Sequence, residues 1–251
     1  MDTERARLAI SLVDLTNLTD DCDAAAIDVL CDRAMRAGTA AVCVWPDFVA
    51  QAAARLDGHP ITVATVVNFP SGDERPFATG VLTDRALDDG ADEIDVVLPY
   101  RWFANGDRTR ADAVLSTVRA ATESRALMKV ILETGELVDP GLIADAARVA
   151  IDHGADFVKT STGKTKVSAT PEAARIMLDA IAATGRTVGL KPSGGISTAA
   201  EADGYLTLAE SVMGAEFLRP RTFRFGASGV LDALLDAAGE SAVAGASPDG
   251  Y

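Results

Sequence analysis

Lysine is scarce in this chain. Of its 23 basic residues only five are lysine, which leaves 18 arginines. Histidine occurs twice and cysteine three times. The two histidines, His59 and His153, are far apart and form no metal-ligand motif; each reads as a surface or capping residue. Cys22, Cys31 and Cys43 are an odd, sparse set without ligand spacing, as expected of reduced thiols in the cytoplasm. No apolar run is long enough to span a bilayer, and Met1-Asp2-Thr3-Glu4-Arg5 lacks the apolar core of a signal peptide. A basic excess is missing too. The net charge of -14 argues against nucleic-acid and anionic-membrane partners, though a small basic pocket for an anionic metabolite remains compatible with it. The glycine-rich turn of dinucleotide-binding sheets, GxGxxG, is also absent.

What remains is informative by placement. Lys129, Lys159, Lys164, Lys166 and Lys191 crowd into one quarter of the chain. Three sit in or at the end of apolar runs: Leu127–Ile131, Ala155–Lys159 and Val188–Lys191. A solvated charge can be Arg or Lys, and this chain prefers Arg. A buried amine that must lose its proton cannot be Arg, because a guanidinium stays charged. These lysines therefore read as kept for chemistry or tight polar packing.

The chain repeats one unit, a short β-rich run followed by polar or glycine-rich residues and an alanine-rich helix. Strands are predicted at Leu8–Leu15, Ala40–Trp45, Ile61–Asn68, Glu93–Leu98, Leu127–Glu133, Phe157–Ser161, Thr187–Pro192 and Thr222–Phe225. Helices are predicted at Ala24–Ala37, Thr83–Asp89, Arg110–Ser124, Leu142–His153, Pro171–Thr184 and Thr198–Met213, with starts at Thr170 and Ser197 and glycine stops at Gly38, Gly90, Gly154 and Gly185. Eight such units in 251 residues predict an α/β fold, a (β/α)8 TIM barrel, over residues 1–238. The Gly/Ala/Ser-rich residues 239–251 read as a flexible C-terminal tail.

In such a barrel, functional side chains gather at the C-terminal ends of the strands. Asp14 and Asp95 fall near the ends of strands one and four, Lys129 and Glu133 on five, Lys159 on six and Lys191 on seven. Period-two alternation groups Lys129 with Glu133, and Phe157 with Lys159 and Ser161. Two amines on neighbouring strands repel as cations, which favours a neutral, nucleophilic amine able to form a Schiff base with a carbonyl. Asp95 is the expected proton shuttle. On the residues alone the nucleophile stays open among Lys129, Lys159 and Lys191. An ordinary buried ion pair is the simpler reading of any single Lys–Asp pair, but three strand-end lysines favour chemistry.

Glycine-bearing loops follow the last three strands: Ser161-Thr162-Gly163-Lys164, Ser193-Gly194-Gly195 and Gly226-Ala227-Ser228-Gly229. Backbone amides approach phosphate oxygens where side chains are absent, so these loops together predict a phosphate pocket. Cys43 reads as a small core residue, or as a target for reactive aldehydes if it faces the site. Trp45, Trp102 and Tyr100 read as packing residues.

These stretches, with Asp14-Leu15-Thr16, Thr65–Pro70, Glu93–Val97, Leu132–Leu137, Phe157–Gly163, Lys191–Ile196 and Phe223–Ser228, make the chain resemble the deoxyribose-phosphate aldolases, from about Ser11 to Tyr251. That family is metal-free, works through a Schiff base and is built on a barrel. The resemblance implies reversible cleavage of 2-deoxy-D-ribose 5-phosphate to D-glyceraldehyde 3-phosphate and acetaldehyde. It implies no cofactor and no metal, small aldehyde and sugar-phosphate partners, and a homodimer among the expected states.

It further implies that Lys159 is the Schiff-base lysine and that Asp95 and Lys191 are the proton-transfer pair, with Asp14 ordering them. Thr160, Gly163, Lys164, Gly194, Gly195, Gly226 and Ser228 match the substrate and phosphate side. Tyr251 is implied as a proton relay, since related chains also end in tyrosine; by composition alone it belongs to a frayed tail. Three positions depart from the pattern: Ser197 where Arg is common, Gly229 where Ser is common, and Ser193 where Ala is usual. The first predicts weaker phosphate affinity. A Schiff-base aldolase or transaldolase with another donor, or a non-phosphorylated acceptor, is the alternative. A sugar-phosphate epimerase on the same barrel would need no covalent lysine, and a non-catalytic binding protein would need no crowded amines.

Overall fold

The structure is a computed structural model, and it describes residues 1–240. Tyr251 and residues 241–250 lie outside the described residues. Eight strands form one parallel sheet: β1 (Val13–Asn17), β2 (Ala41–Val44), β3 (Thr62–Val67), β4 (Glu93–Val97), β5 (Leu127–Ile131), β6 (Phe157–Lys159), β7 (Gly189–Lys191) and β8 (Phe225–Ala227). From β1 to β7 each strand pairs with the next in sequence, and β1 also pairs with β8. Parallel bridges Leu190–Phe223 and Ser193–Gly226 join the β7 and β8 segments and close the ring. The expected (β/α)8 barrel is the fold observed.

Helices cover the outside. α1 (Thr3–Ile10) precedes the first strand, and α2 (Ala24–Ala37) and α3 (Val49–Arg55) follow β1 and β2. Next come α4 (Pro76–Asp88), α5 (Tyr100–Ala104), α6 (Thr109–Thr122), α7 (Thr134–Leu137) and α8 (Pro140–Asp152). The series ends with α9 (Pro171–Thr184), α10 (Ala199–Met213) and α11 (Val230–Ala237). Their ends follow local chemistry. Asp23 accepts from Ala26 N to start α2, and Gly38, in left-handed backbone, ends it. Thr170 caps α9 ahead of Pro171, and Gly185 closes it.

Alternation along the strands divides the molecule into two environments. Val42, Val44, Ile94, Val96, Met128, Val130, Val158 and Leu190 join the apolar layer under the helices. The opposite parity carries Asp14, Glu93, Asp95, Lys129, Lys159 and Lys191, all buried. Beside these charges, Leu18, Cys43, Ala64 and Val66 form a small separate apolar cluster against Trp45 and Phe69.

Several boundaries differ from expectation. Residues 8–10 belong to α1, not to strand one: Ala6, Ala9 and Ile10 are buried at helical spacing, and Asp2 caps the helix by accepting from Arg5 N. Strand eight runs Phe225–Ala227, so Gly226 lies in a strand and not in the following loop. α4 begins at Pro76, seven residues before the predicted start, with proline in the first turn. Thr198, not Ser197, caps α10, in a reciprocal box with Glu201. Trp102 is 41% exposed beneath the Arg110 guanidinium, so it is a surface residue and not a core one.

Candidate active site

The barrel interior holds a continuous ion-pair network, built from inward-facing strand residues of one parity. Lys159 and Lys191 are the last residues of β6 and β7 and are register partners. Asp95 is the register partner of Lys129 on the adjoining strands β4 and β5. Their side chains converge on Asp95: Lys129 Nζ donates to Oδ1 at 2.7 Å, while Lys159 and Lys191 donate to Oδ2 at 2.9 and 2.8 Å. Asp14 is the second residue of β1 and Asp95 the third of β4, so both stand lower in the barrel than strand ends. Their inward parity still carries their carboxylates to the amines.

A lower tier completes the network. Lys191 Nζ pairs with Asp14 Oδ2 at 2.5 Å, outside hydrogen-bond alignment, and Lys129 Nζ lies 3.4 Å from the same oxygen. Lys129 also pairs with Glu93 at 2.6 Å. Arg224 spans the floor, donating to Asp14 Oδ1 at 2.5 Å and to Glu93 Oε1 at 2.9 Å beneath the Phe157 ring. The space for that ring exists because residue 189 is glycine; a Cβ there would lie 2.2 Å from the Phe157 ring. Glu93 and Arg224 were not among the expected site residues. Glu93 shares the parity of Asp95, which was the available signal; Arg224 lies between two phenylalanines and gave none.

Charge in this network sets the protonation states. Burial resists ionisation of Asp95, yet Lys129, Lys159 and Lys191 outweigh it and hold the carboxyl well below the ordinary range. The same contest, with Lys191, Arg224 and Lys129 as the cations, lowers Asp14. Lys129 and Arg224 do this for Glu93. Burial would strip protons from Lys129 and Lys191, but Asp95 with Glu93, and Asp14 with Asp95, raise both above the usual lysine value. Burial pushes the Cys43 thiol up, so this interior cysteine is held as the neutral thiol.

Two loops at the mouth press together. Gly163 (φ 79°), Gly194 (φ 80°) and Gly195 (φ 75°) take backbone that other residues adopt at a cost. A Cβ on Gly194 would meet Ser168 Oγ at 2.6 Å and Gly163 Cα at 3.2 Å. Thr160 ties β6 to β7: its hydroxyl accepts from Ser193 N at 3.0 Å and reaches Ser193 O at 3.3 Å. Gly226 provides clearance in the strand, since a Cβ would lie 2.4 Å from Ser193 Oγ and 3.1 Å from Lys191 Cε. Ser228 and Gly229, half-buried, lead into α11, whose first turn has no side-chain cap. Lys164 has a loose ion pair with Asp20, 3.8 Å away. Ser197 is exposed and turned to Glu201, whose Oε2 accepts from its N at 2.9 Å and its Oγ at 3.3 Å. Among the described residues no cluster of His, Cys, Asp and Glu is arranged as a metal site, and no helix is long and apolar enough to cross a membrane.

A barrel that buries amines at strand ends around a shared carboxylate is the scaffold of an enzyme of carbonyl chemistry. Residues 8–231 match the model of the DeoC/LacD family aldolases, and the chain belongs to that family. It is 53% identical over 246 residues to a deoxyribose-phosphate aldolase of Agrobacterium fabrum, covering 96% of this chain and 95% of that one. Among solved structures, a Toxoplasma gondii ME49 protein assigned to the deoxyribose-phosphate aldolases superposes with a TM-score of 0.86 at 27% identity, covering 94% of this chain and 96% of the other. One from Coccidioides immitis gives 0.81 at 31% identity, over 90% and 85%.

Proposed function

We propose that this protein cleaves 2-deoxy-D-ribose 5-phosphate reversibly to D-glyceraldehyde 3-phosphate and acetaldehyde, with Lys159 as the Schiff-base nucleophile. One observation carries the assignment. Lys159 has one carboxylate partner, Asp95, whereas Lys191 has two and Lys129 three. The network contains four cations, Lys129, Lys159, Lys191 and Arg224, against three anions, Asp14, Glu93 and Asp95. Giving up a proton in a buried set of this kind forfeits ion pairs, so the amine with the fewest carboxylate partners loses least. Lys159 forfeits the fewest ion pairs in doing so.

The chemistry then follows. Lys159 Nζ adds to the C1 aldehyde of the sugar, and loss of water leaves an iminium. A base removes the C3 hydroxyl proton, the C2–C3 bond breaks, and its electron pair passes into the iminium to give an enamine. Glyceraldehyde 3-phosphate departs. Protonation of the enamine carbon and hydrolysis release acetaldehyde and the free amine. Asp95 Oδ2, touching both Lys159 and Lys191, is placed to pass protons between them, and Asp14 holds Lys191 in position. Gly163, Gly194 and Gly195 offer backbone amides to the phosphate, Lys164 a cation, and Ser228 with the uncapped start of α11 further donors. Tyr251, outside the described residues, is assigned the enamine proton on sequence grounds. A homodimer stays part of this reading, and sedimentation equilibrium tests it.

Treatment with acetaldehyde and borohydride should add an ethyl group to the Lys159 peptide, read by mass spectrometry. Lys159→Arg should abolish both adduct and turnover, since Arg keeps the charge but cannot become a neutral amine. A stable adduct on Lys129 or Lys191 with Lys159 unmodified overturns the assignment.

A further inference from the structure

Glu133 follows β5 with left-handed backbone, φ 56° and ψ 60°, a conformation uncommon for a residue with a side chain. Such residues persist where their surroundings over-determine them, and they gather at functional sites. The Glu133 side chain is fully buried. Its hydrogen-bonding partners are all in one loop. Oε2 accepts from Thr162 N at 3.2 Å and from Thr162 Oγ1 at 2.5 Å, and Oε1 accepts from Thr165 Oγ1 at 3.1 Å. Thr162 Oγ1 in turn accepts from Lys164 N at 3.0 Å. Burial raises the carboxyl above its ordinary value, and the Thr162 and Thr165 donors, with the charge of Lys159, oppose that rise.

The same turn meets the far end of this loop. A Cβ on Gly135 would lie 2.1 Å from Val167 O, so only glycine lets the backbone of α7 seat against it. On its other side the loop rests on the β7 segment, through Ala169 N to Ser193 O at 3.2 Å and through the Gly163–Gly194 approach. The residues from Thr162 to Ala169 are thus clamped between two turns, and the Glu133 carboxylate supplies the polar half of one jaw.

We propose that Glu133 is a positioning residue for the phosphate end of the substrate, holding the Thr162–Thr165 turn where the Gly163 amide and the Lys164 amine meet the phosphate. This rests on the phosphate reading of that loop given above. A carboxylate fits the task because it only accepts, and the loop presents only donors to it. Gln of equal size would set an N–H2 group against the hydroxyl and amide donors. A shift of about 1 Å in a positioning loop costs up to about a hundredfold in rate or affinity.

The test compares 2-deoxyribose 5-phosphate with unphosphorylated 2-deoxyribose in Glu133→Gln, Thr165→Val and Lys164→Met. Glu133→Gln should raise KM for the phosphorylated sugar about tenfold or more, with kcat/KM for the free sugar within about twofold of wild type. Thr165→Val, which removes one of the donors, should show a smaller rise of the same selectivity and carries the test if Glu133→Gln does not fold. Equal losses on both sugars, or no loss on either, overturns the role of Glu133. If Lys164→Met is selective while the other two variants are not, Glu133 fails and the phosphate loop stands. If all three are unselective, the phosphate reading fails with it.

Discussion

Lys159 and Lys191 are register partners at the ends of adjacent strands, and their amines meet on the same oxygen, Oδ2 of Asp95. Two amines on one oxygen lie too close to be independent. Lys191 has a second carboxylate, Asp14, on its other side, which with Asp95 raises it above the usual lysine value against burial.

Lys191→Leu should therefore cost more than a hydrogen bond. It removes the like charge that helps expel a proton from the pair, although burial against Leu partly offsets that loss. Turnover at neutral pH should fall at least about tenfold and recover in part as the pH is raised. A pH–rate profile with the wild-type shape, merely scaled down, would show that Lys191 does not act through charge.

The lysine cluster was legible because lysine is so rare here, and the strands because β-branched runs alternate with alanine-rich helices. Other features depend on contacts that local pattern does not hold. Glu93 and Arg224 stand 131 residues apart and become partners only when β8 closes on β1. Leu8–Ile10 looks β-like by composition, but its burial follows a helical face begun at Ala6. The position of Gly226 depended on where strand eight starts, and Phe223 and Phe225 are both buried, so residue type left that open. The residues alone leave the nucleophile open among Lys129, Lys159 and Lys191, and only the family resemblance points to Lys159; the number of carboxylates around each amine is a property of three dimensions.

The buried network should make stability depend on pH at both extremes. Asp14, Glu93 and Asp95 are lowered in the fold, so their contribution is complete above about pH 4, where the unfolded carboxyls titrate. It is lost as pH falls through the lower folded values. Lys129 and Lys191 are raised, so theirs is complete below about pH 10.4 and is lost as pH climbs through the folded values. The network's own contribution to the melting temperature should be constant between these limits and fall on both sides, while the raised Glu133 and Cys43 act against stability as pH climbs past their unfolded values. Glu93→Gln takes one of three carboxylates from Lys129 and one of two from Arg224, and should cost up to about 3 kcal/mol in urea unfolding. Glu93→Gln combined with Arg224→Met should cost less than the two single changes added. Strict additivity would mean that the pair at the floor is not coupled.

Deleting Tyr251 tests a residue assigned from sequence. Turnover should drop well below wild type while the melting temperature and the acetaldehyde adduct persist. Tyr251→Phe should reproduce most of the loss if the hydroxyl moves the proton. Wild-type deuterium exchange into acetaldehyde by the deletion variant would remove Tyr251 from the mechanism.

The weaker phosphate affinity expected from Ser197 can be tested against the residue's own surroundings. Its amide and hydroxyl both donate to Glu201, and Thr198 N and Oγ1 approach the same oxygen at 3.0 Å. The position therefore presents no cation, and the nearest charge it engages is an anion. Cap hydrogen bonds, led by the Ser197 and Thr198 amides, hold Glu201 below its ordinary value, so it stays ionised at neutral pH. Ser197→Arg places a guanidinium between two acceptors, the Glu201 carboxylate and the substrate phosphate. A charge-assisted hydrogen bond to phosphate is worth roughly 1.5–3 kcal/mol, or about a tenfold to hundredfold in affinity. Competition from Glu201 should hold Ser197→Arg near the lower end, with KM reduced for the phosphorylated sugar and unchanged for the free one. Ser197→Arg with Glu201→Gln should release the guanidinium and lower that KM further, at the expense of the α10 cap and some melting temperature. If both variants leave the ratio of the two KM values at wild type, position 197 does not face the phosphate, and the weaker affinity expected from its serine is wrong.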